Sequence, residues 1–248
     1  MASSLGPARR AVRIIRSRIR PGNEVTRSPR PCTICGGDLF QPGSGGRKSL
    51  TGLPPCCVTC LSLERHRAVR EAFRDLPLRC LDTRRVLHLA PDPSIDPAWF
   101  RTFEGSVYGG KNSIDLHDIP RPAGAYDLVF LSNVLEHVRD DHRCFAEILR
   151  VLSPTGVFVA ILSVPFSRPA TVEYASAEPP YFQYRVYGSD MPARWLAQAS
   201  AEIHHATVRA EDPVTGVPEH LFVFARVRSA LDALTPYWKA RLVPAGAP

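Results

Sequence analysis

From residue 84 onward, apolar runs alternate with segments of helical periodicity. Residues 85–90 (RVLHLA), 126–131 (YDLVFL) and 157–164 are nearly continuous apolar runs, the pattern of strands buried on both faces. Between the last two, residues 140–152 place Phe145, Ile148, Leu149 and Leu152 on one face of a helix. The same reading predicts strands over 106–109, 113–116, 203–208 and 221–227, a short helix over 97–104 and another over 189–199. Upstream, His66, Val69, Ala72, Phe73 and Leu76 recur at helical spacing behind a capping Ser62, and Pro77 ends that helix. Seven apolar strands interleaved with helices predict an α/β domain with a mostly parallel sheet covered on both faces.

Two stretches break this rhythm. Residues 31–62 are rich in Cys, Gly and Pro and show no periodicity, and Gln41–Gly46 reads as a flexible loop. Within them stand two C-x-x-C pairs, Cys32/Cys35 and Cys57/Cys60. Each pair can set two thiolates on one tight knuckle, and two knuckles close a tetrahedral four-sulfur site for zinc. The Gly-rich loop absorbs the long spacing between them, and Cys56 is an alternative to Cys57 as a ligand. Disulfides are disfavoured in a chain read as cytoplasmic. A site with four thiolates leaves no open position, so the metal expected here is structural. Cys80 and Cys144 fall in patterned segments and are expected to be buried rather than reactive. The second break, residues 166–187, is rich in Pro and Tyr and reads as an insertion.

Composition changes this picture little, but the location of the charge matters. The chain of 248 residues carries a net charge of +7. Residues 1–30 hold eight arginines against one acid, Glu24, so the remainder is neutral. A neutral body makes nucleic acid an unlikely partner. Val12, Ile14, Ile15 and Ile19 lie among those arginines, where a short basic amphipathic helix is possible beside the plainer reading of a solvated tail. No apolar run is long enough for a membrane span, and no signal-peptide core is seen, so the expected location is the cytoplasm.

Ligands of an open parallel sheet bind beyond the carboxyl ends of its strands. The residues read at those ends are Ala90, Pro91 and Asp92, then Gly109 and Gly110, then Asp115 and Asp118, then Ser132 and Asn133. Here the stretch YDLVFLSNVLEHVRDDHRCFAEILRVLSPTG (126–156) resembles the fourth strand, helix and turn of class I S-adenosylmethionine (SAM)-dependent methyltransferases of the type 11 group. CxxC…CVTCLSLERHR followed by VLHLAPD resembles a bacterial subgroup with a zinc-ribbon-like module ahead of that domain. The resemblance implies a Rossmann-like class I fold. It divides the chain into a basic tail (1–30), a zinc module (31–62), a methyltransferase domain (63–228) with a substrate lid (166–187), and a C-terminal helix and tail (229–248).

It also implies roles. Asp115 or Asp118 would meet the adenine, and Ser132 and Asn133 the sulfonium. Ala90–Asp92 and Gly109–Gly110 would line the donor crevice, while Glu136, His137 and Arg185 would face the acceptor. Two departures stand out. The glycine-rich loop after strand one is replaced by His88, Ala90 and Asp92, and Val107–Ser113 contains no acid to grip the ribose hydroxyls, leaving Asn112 as a neutral substitute. An Asp-His pair of the subgroup is Phe182-Gln183 here. The expected activity is methyl transfer from SAM to an O or N nucleophile of a small molecule, a sugar or secondary metabolite. The alternative is a non-methylating protein that keeps the fold as a binding scaffold.

Overall fold

The computed structural model describes residues 19, 22, 24–110, 112–162, 168–179, 182–199 and 201–244. The basic segment around Val12, Ile14 and Ile15 lies outside the described residues. The chain divides into two compact units. The first gathers the described residues up to Glu71 with Pro93–Ile95 and Glu211–Glu219. The second holds Ala72–Asp92, Asp96–Ala210 and the described residues from His220 onward.

The first unit contains a small antiparallel sheet of β1 (Thr26–Arg27), β2 (Leu39–Gln41) and β3 (Cys56–Cys57). Cys32, Phe40, Cys57 and Val214 form its apolar centre. Helix α1 (Glu64–Arg74) begins here and sends Arg67 inward. The Arg67 side chain and that of Asp212 are both fully buried, with Nε donating to Oδ1 at 2.8 Å and Nη2 to Oδ2 at 2.7 Å. The same guanidinium donates to the carbonyls of Ser62 and Pro55 and lies 5.2 Å from the Phe40 ring. A buried charge is tolerable only when paired and hydrogen-bonded in this way. The compact unit thus extends beyond residues 31–62 to recruit the segment 211–219.

The second unit is built on six strands: β4 (Arg85–Leu89), β5 (Thr102–Ser106), β6 (Tyr126–Ser132), β7 (Leu152–Ile161), β10 (His204–Glu211) and β11 (Pro218–Ala225). Their order is β10-β11-β7-β6-β4-β5. β5, β4, β6 and β7 are mutually parallel, and β11 runs antiparallel to β7. The burial pattern explains the apolar runs. Leu87, Leu89, Val129 and Leu131 pack with Phe145, Ile148 and Leu149 of helix α2 (Asp141–Val151) and with Trp195 of α3 (Met191–Ala197). On β4 and β6 the alternate residues His88 and Phe130 are also fully buried, and Phe73 packs edge-on to Phe130 at 6.0 Å. Asp140 caps α2, its Oδ1 accepting from the Arg143 backbone N–H at 2.9 Å.

The described sheet has six strands where seven were expected. Residues 113–116 form no strand. Asp115 instead accepts the backbone N–H of His117 at 2.9 Å, and the chain closes into a turn with an Asp115–Asp118 bridge. An Asp that bonds its own backbone two residues on favours a turn over a ladder. Ile114, Leu116 and Ile119 still bury themselves, which is why the segment mimics a strand in sequence. The second strand lies earlier than 106–109, and the helix expected over 97–104 shrinks to a 3-10 turn at Pro97–Trp99. The insertion is more ordered than its composition implied. β8 (Val172–Glu178) and β9 (Gln183–Val186) pair as an antiparallel hairpin. After β11, the short helix α4 (Arg228–Asp232) follows.

Candidate functional site

In the first unit the sulfur atoms of Cys32, Cys35, Cys57 and Cys60 all lie within 4.8 Å of one another. Cys32 and Cys60 are 3.7 Å apart and Cys35 and Cys57 3.6 Å, and all are free thiols. Zn–S bonds of about 2.3 Å in a tetrahedron require S···S separations of about 3.8 Å. The four thiols therefore fit zinc and are too far apart for disulfides. The two knuckles share one construction. The N–H of Gly36 donates to the Cys32 carbonyl at 2.7 Å, and that of Leu61 to the Cys57 carbonyl at 2.8 Å. Each closing residue has a left-handed backbone, with φ of +75° at Gly36 and +62° at Leu61. Leucine at such a position is strained by about 1–2 kcal/mol, a cost the fold accepts to close the second knuckle. Ser62 Oγ lies 3.1 Å from Cys60 Sγ and 3.3 Å from Cys32 Sγ. Cys56 Sγ points to the Cys57 carbonyl at 3.9 Å, outside the four-sulfur cluster.

In the second unit the carboxyl ends of β4, β5 and β6 adjoin because these strands are parallel neighbours. Ala90 follows β4 with φ +54°, and Asn133 follows β6 with φ +53°. Two non-glycine residues in the left-handed region at the ends of adjacent strands are strain of the kind found at ligand sites. Their backbones are fixed, Ala90 N–H to the Ser106 carbonyl and Asn133 N–H to the Ile161 carbonyl, both at 2.8 Å. Pro91 lies over Gly105, where a Cβ would come 2.8 Å from the proline ring. Ser132 Oγ and Asn133 Oδ1 are buried and bond to no described residue. Buried polar atoms are normally paired. Two orphans beside two strained turns fit a polar, partly cationic ligand such as SAM.

Deeper on β4, His88 is fully buried between the edges of Phe103 and Phe130, and neither ring nitrogen has a partner among the described residues. Burial pushes its pKa down to about 4, so the ring is neutral near neutral pH. The apolar run 85–90 places His88 on this strand, as found, but does not reveal this isolation.

The residues expected to grip ribose and adenine are occupied otherwise. Asn112 donates to Glu104 Oε1 at 3.0 Å and to the Gly105 carbonyl at 2.9 Å, while its own oxygen accepts from Arg121 at 3.2 Å. Glu104 also takes bonds from Arg121 and Tyr126. Burial opposes its charge, but these donors outweigh it and hold the Glu104 pKa down at about 2. Asp115 is exposed and accepts both the backbone and the ring N–H side of His117, at 2.9 and 2.7 Å. Asp118 is exposed, as are Gly109 and Gly110.

Leu135–His137 forms a 3-10 turn after β6. Glu136 is buried and His137 exposed, with His137 Nδ1 3.5 Å from the Phe182 carbonyl. Arg185 is nearly fully buried. Its Nη1 donates to the carbonyls of Leu135 and Val138, its Nη2 to that of Arg139, and its Nε faces Glu173. Arg185 therefore ties the hairpin to the turn that carries His137, and its donors are engaged with protein. Tyr187 and Trp195 both donate to Asp141 Oδ2, at 2.6 and 3.0 Å. An open cavity of about 560 Å³ lies beside the start of α2, bounded by His117, Arg139, His142, Arg143, Glu173 and Arg185.

The sheet is thus mostly parallel with an antiparallel strand paired to β7, and two of its central strands end in strained residues. The profile of the methyltransferase domain family matches residues 108–160, from the turn after β5 through β7. The match covers that part of the second unit. Similar solved structures include a SAM-dependent methyltransferase from Thermotoga maritima, with 10% identity over 65% of this chain and 89% of that one and a TM-score of 0.43. A 1,6-didemethyltoxoflavin-N1-methyltransferase from Burkholderia thailandensis, solved with S-adenosylhomocysteine, shares 14% identity over 65% of this chain and 79% of that one, at a TM-score of 0.47. A SAM-dependent methyltransferase from Mesorhizobium loti shares 17% identity over 63% and 96%, at 0.44. No curated protein matches the chain. No helix among the described residues is long and apolar enough to cross a membrane.

Proposed function

We propose that this protein transfers a methyl group from SAM to an oxygen or nitrogen nucleophile of a small molecule, a sugar or secondary metabolite, and carries a structural zinc on Cys32, Cys35, Cys57 and Cys60. The observation that carries the donor site is the pair of buried, unpartnered atoms Ser132 Oγ and Asn133 Oδ1 at the strained end of β6. SAM, when bound, supplies a methyl group on a sulfonium that any aligned lone pair can attack. Ser132 and Asn133 would present oxygen atoms toward that positive charge. Ala90–Asp92 and Gly109–Gly110 would bound the crevice, with Asp115 or Asp118 toward the base. Glu136 and His137 stand on the turn facing the acceptor side, where the exposed imidazole of His137 can accept the nucleophile's proton. Arg185 acts as a positioning residue, since its bonds to the carbonyls of residues 135, 138 and 139 fix that turn. In-line alignment supplies most of what such a transfer needs.

The four-thiolate cluster leaves no open coordination position, so zinc there would hold the knuckles and take no part in transfer. One observation favours the scaffold reading: Asn112 and Glu104 are engaged with each other. Calorimetry with S-adenosylhomocysteine (SAH) tests the donor site, and a labelled-methyl assay on small nucleophiles tests turnover. Absence of binding at millimolar SAH would overturn the enzyme reading. Binding without transfer to any acceptor, with His137→Ala unchanged, would favour the scaffold.

A further inference from the structure

The second unit has a cavity of about 490 Å³ at the other edge of its sheet. Arg84 stands just before β4, Asp127 is the second residue of β6, and Thr155 lies in the irregular stretch of β7 between Leu152 and Val157. Because β4, β6 and β7 are parallel, their amino ends adjoin here, whereas Ala90 and Asn133 follow the opposite ends of β4 and β6. Ser229 of α4 also lines the cavity, and Ala230, Ala233 and Leu234 give it an apolar wall.

Two arginines, Arg79 and Arg84, line this space, and neither forms an ion pair among the described residues. Arg84 is held by carbonyls, its Nε donating to that of Cys80 at 2.6 Å and its Nη1 to that of Asp127 at 3.0 Å. Its Nη2 has no partner among the described residues. Burial pushes the Arg84 pKa down, with the charge of Asp127 opposing that only in part. A guanidinium stays protonated all the same, so positive charge here is incompletely balanced. Arg79 is fixed by Tyr237: its Nη2 donates to the phenol oxygen at 2.9 Å, and its guanidinium lies 5.9 Å from the ring centre. The carboxylate of Asp127 is already committed. Its Oδ2 accepts the backbone N–H and Nε of Arg85, both at 3.0 Å, and its Oδ1 accepts Nη2 of Arg85 at 3.1 Å. The lining therefore carries two surplus positive charges, held in place before any ligand arrives. Thr83, Thr155 and Ser229 add hydroxyls to the same lining.

We propose that this cavity is a second ligand site, for a small organic phosphate monoester, separate from the crevice at the carboxyl ends of the strands. A phosphate monoester carries about −1.5 to −2 charge at pH 7 and three acceptor oxygens. Two guanidiniums balance that charge, and their planar forks match pairs of phosphate oxygens. A carboxylate would leave one of the two unbalanced. The wall of Ala230, Ala233 and Leu234 suits the carbon body of an ester better than it suits free phosphate.

The test measures Kd by calorimetry on the full chain at low ionic strength, with phenyl phosphate as the probe and inorganic phosphate and benzoate as comparisons. Phenyl phosphate is expected to bind at least about threefold tighter than inorganic phosphate, because its ring covers the apolar wall. It is expected to bind about tenfold tighter than benzoate, which has half the charge. Arg79→Gln is expected to weaken phenyl phosphate binding about tenfold, the loss of one charge-assisted contact. Arg79 is exposed, so this variant should keep the wild-type fold, which thermal unfolding without ligand checks. Saturating SAH is expected to leave the phenyl phosphate Kd within about twofold, because the two sites lie at opposite ends of the same strands. No phenyl phosphate binding at millimolar concentration would overturn the proposal, as would wild-type affinity in Arg79→Gln. Inorganic phosphate or benzoate binding as tightly as phenyl phosphate would overturn it too, and so would displacement by SAH.

Discussion

Replacing His88 by Leu should make the protein less sensitive to acid, and the size of the effect follows from the geometry. The imidazole is fully buried in the centre of β4, edge-on to Phe103 and Phe130. A neutral imidazole carries one N–H, and here neither ring nitrogen has a partner among the described residues. An unsatisfied buried donor costs about 1–3 kcal/mol, so an apolar side chain of similar size should be neutral to stabilising at pH 7. Burial lowers the folded pKa from 6.5 to about 4. Between those values the unfolded chain binds the proton that the folded chain refuses, so stability rises with pH. The contribution is whole above about pH 6.5 and is lost as pH falls toward 4. From pH 7 to pH 5 this costs the wild type about 2 kcal/mol that His88→Leu does not lose. Urea unfolding at pH 5, 6 and 7 reads the difference directly. The cysteine cluster and the other histidines are common to both proteins and cancel in it. A stability difference between the two that stays constant across this range would refute the isolation of His88.

The purified protein should hold one zinc per chain by elemental analysis, with Cys57→Ser losing it and Cys80→Ser retaining it; full metal-free folding in chelator would count against the cluster. Arg67→Met should destabilise by about 3–5 kcal/mol in denaturant unfolding, since it strands the buried carboxylate of Asp212. Asn112→Asp should not tighten SAH binding. It sets a carboxylate against Glu104, with which the amide now bonds at 3.0 Å, and should lower stability by about 2 kcal/mol as that charge-assisted bond is lost.

The central strands were legible because burial on both faces writes a continuous apolar run, as in YDLVFL. Helix α2 was legible because Asp140 caps it and Phe145, Ile148 and Leu149 repeat at its period. The third strand was misread because Ile114 and Leu116 are buried without pairing, so alternation alone could not distinguish ladder from loop. The hairpin β8–β9 was missed because its faces are mostly exposed and carry little apolar pattern. The four-thiol cluster was visible from spacing, since four thiols on two knuckles have few other arrangements. The engagement of Asn112 was not. Whether Asn112 is free or engaged depends on Arg121 and Glu104, residues that sequence separation hides.

The pairing of Arg67 with Asp212 sets an order of events during synthesis. The cysteines and helix α1 leave the ribosome early, whereas Asp212 follows the last residue of β10. Until then Arg67 lacks the carboxylate that pairs with it at 2.7 Å, and the knuckles lack the segment that contributes Val214 to their core. The cysteine unit cannot reach its final form as an autonomous first-folding piece. It must wait, with metal bound or not, until the strands of the other unit have been translated. A nascent chain arrested before Asp212 would therefore lack both the ion pair that anchors α1 and part of the apolar centre, and the interval is set by translation speed.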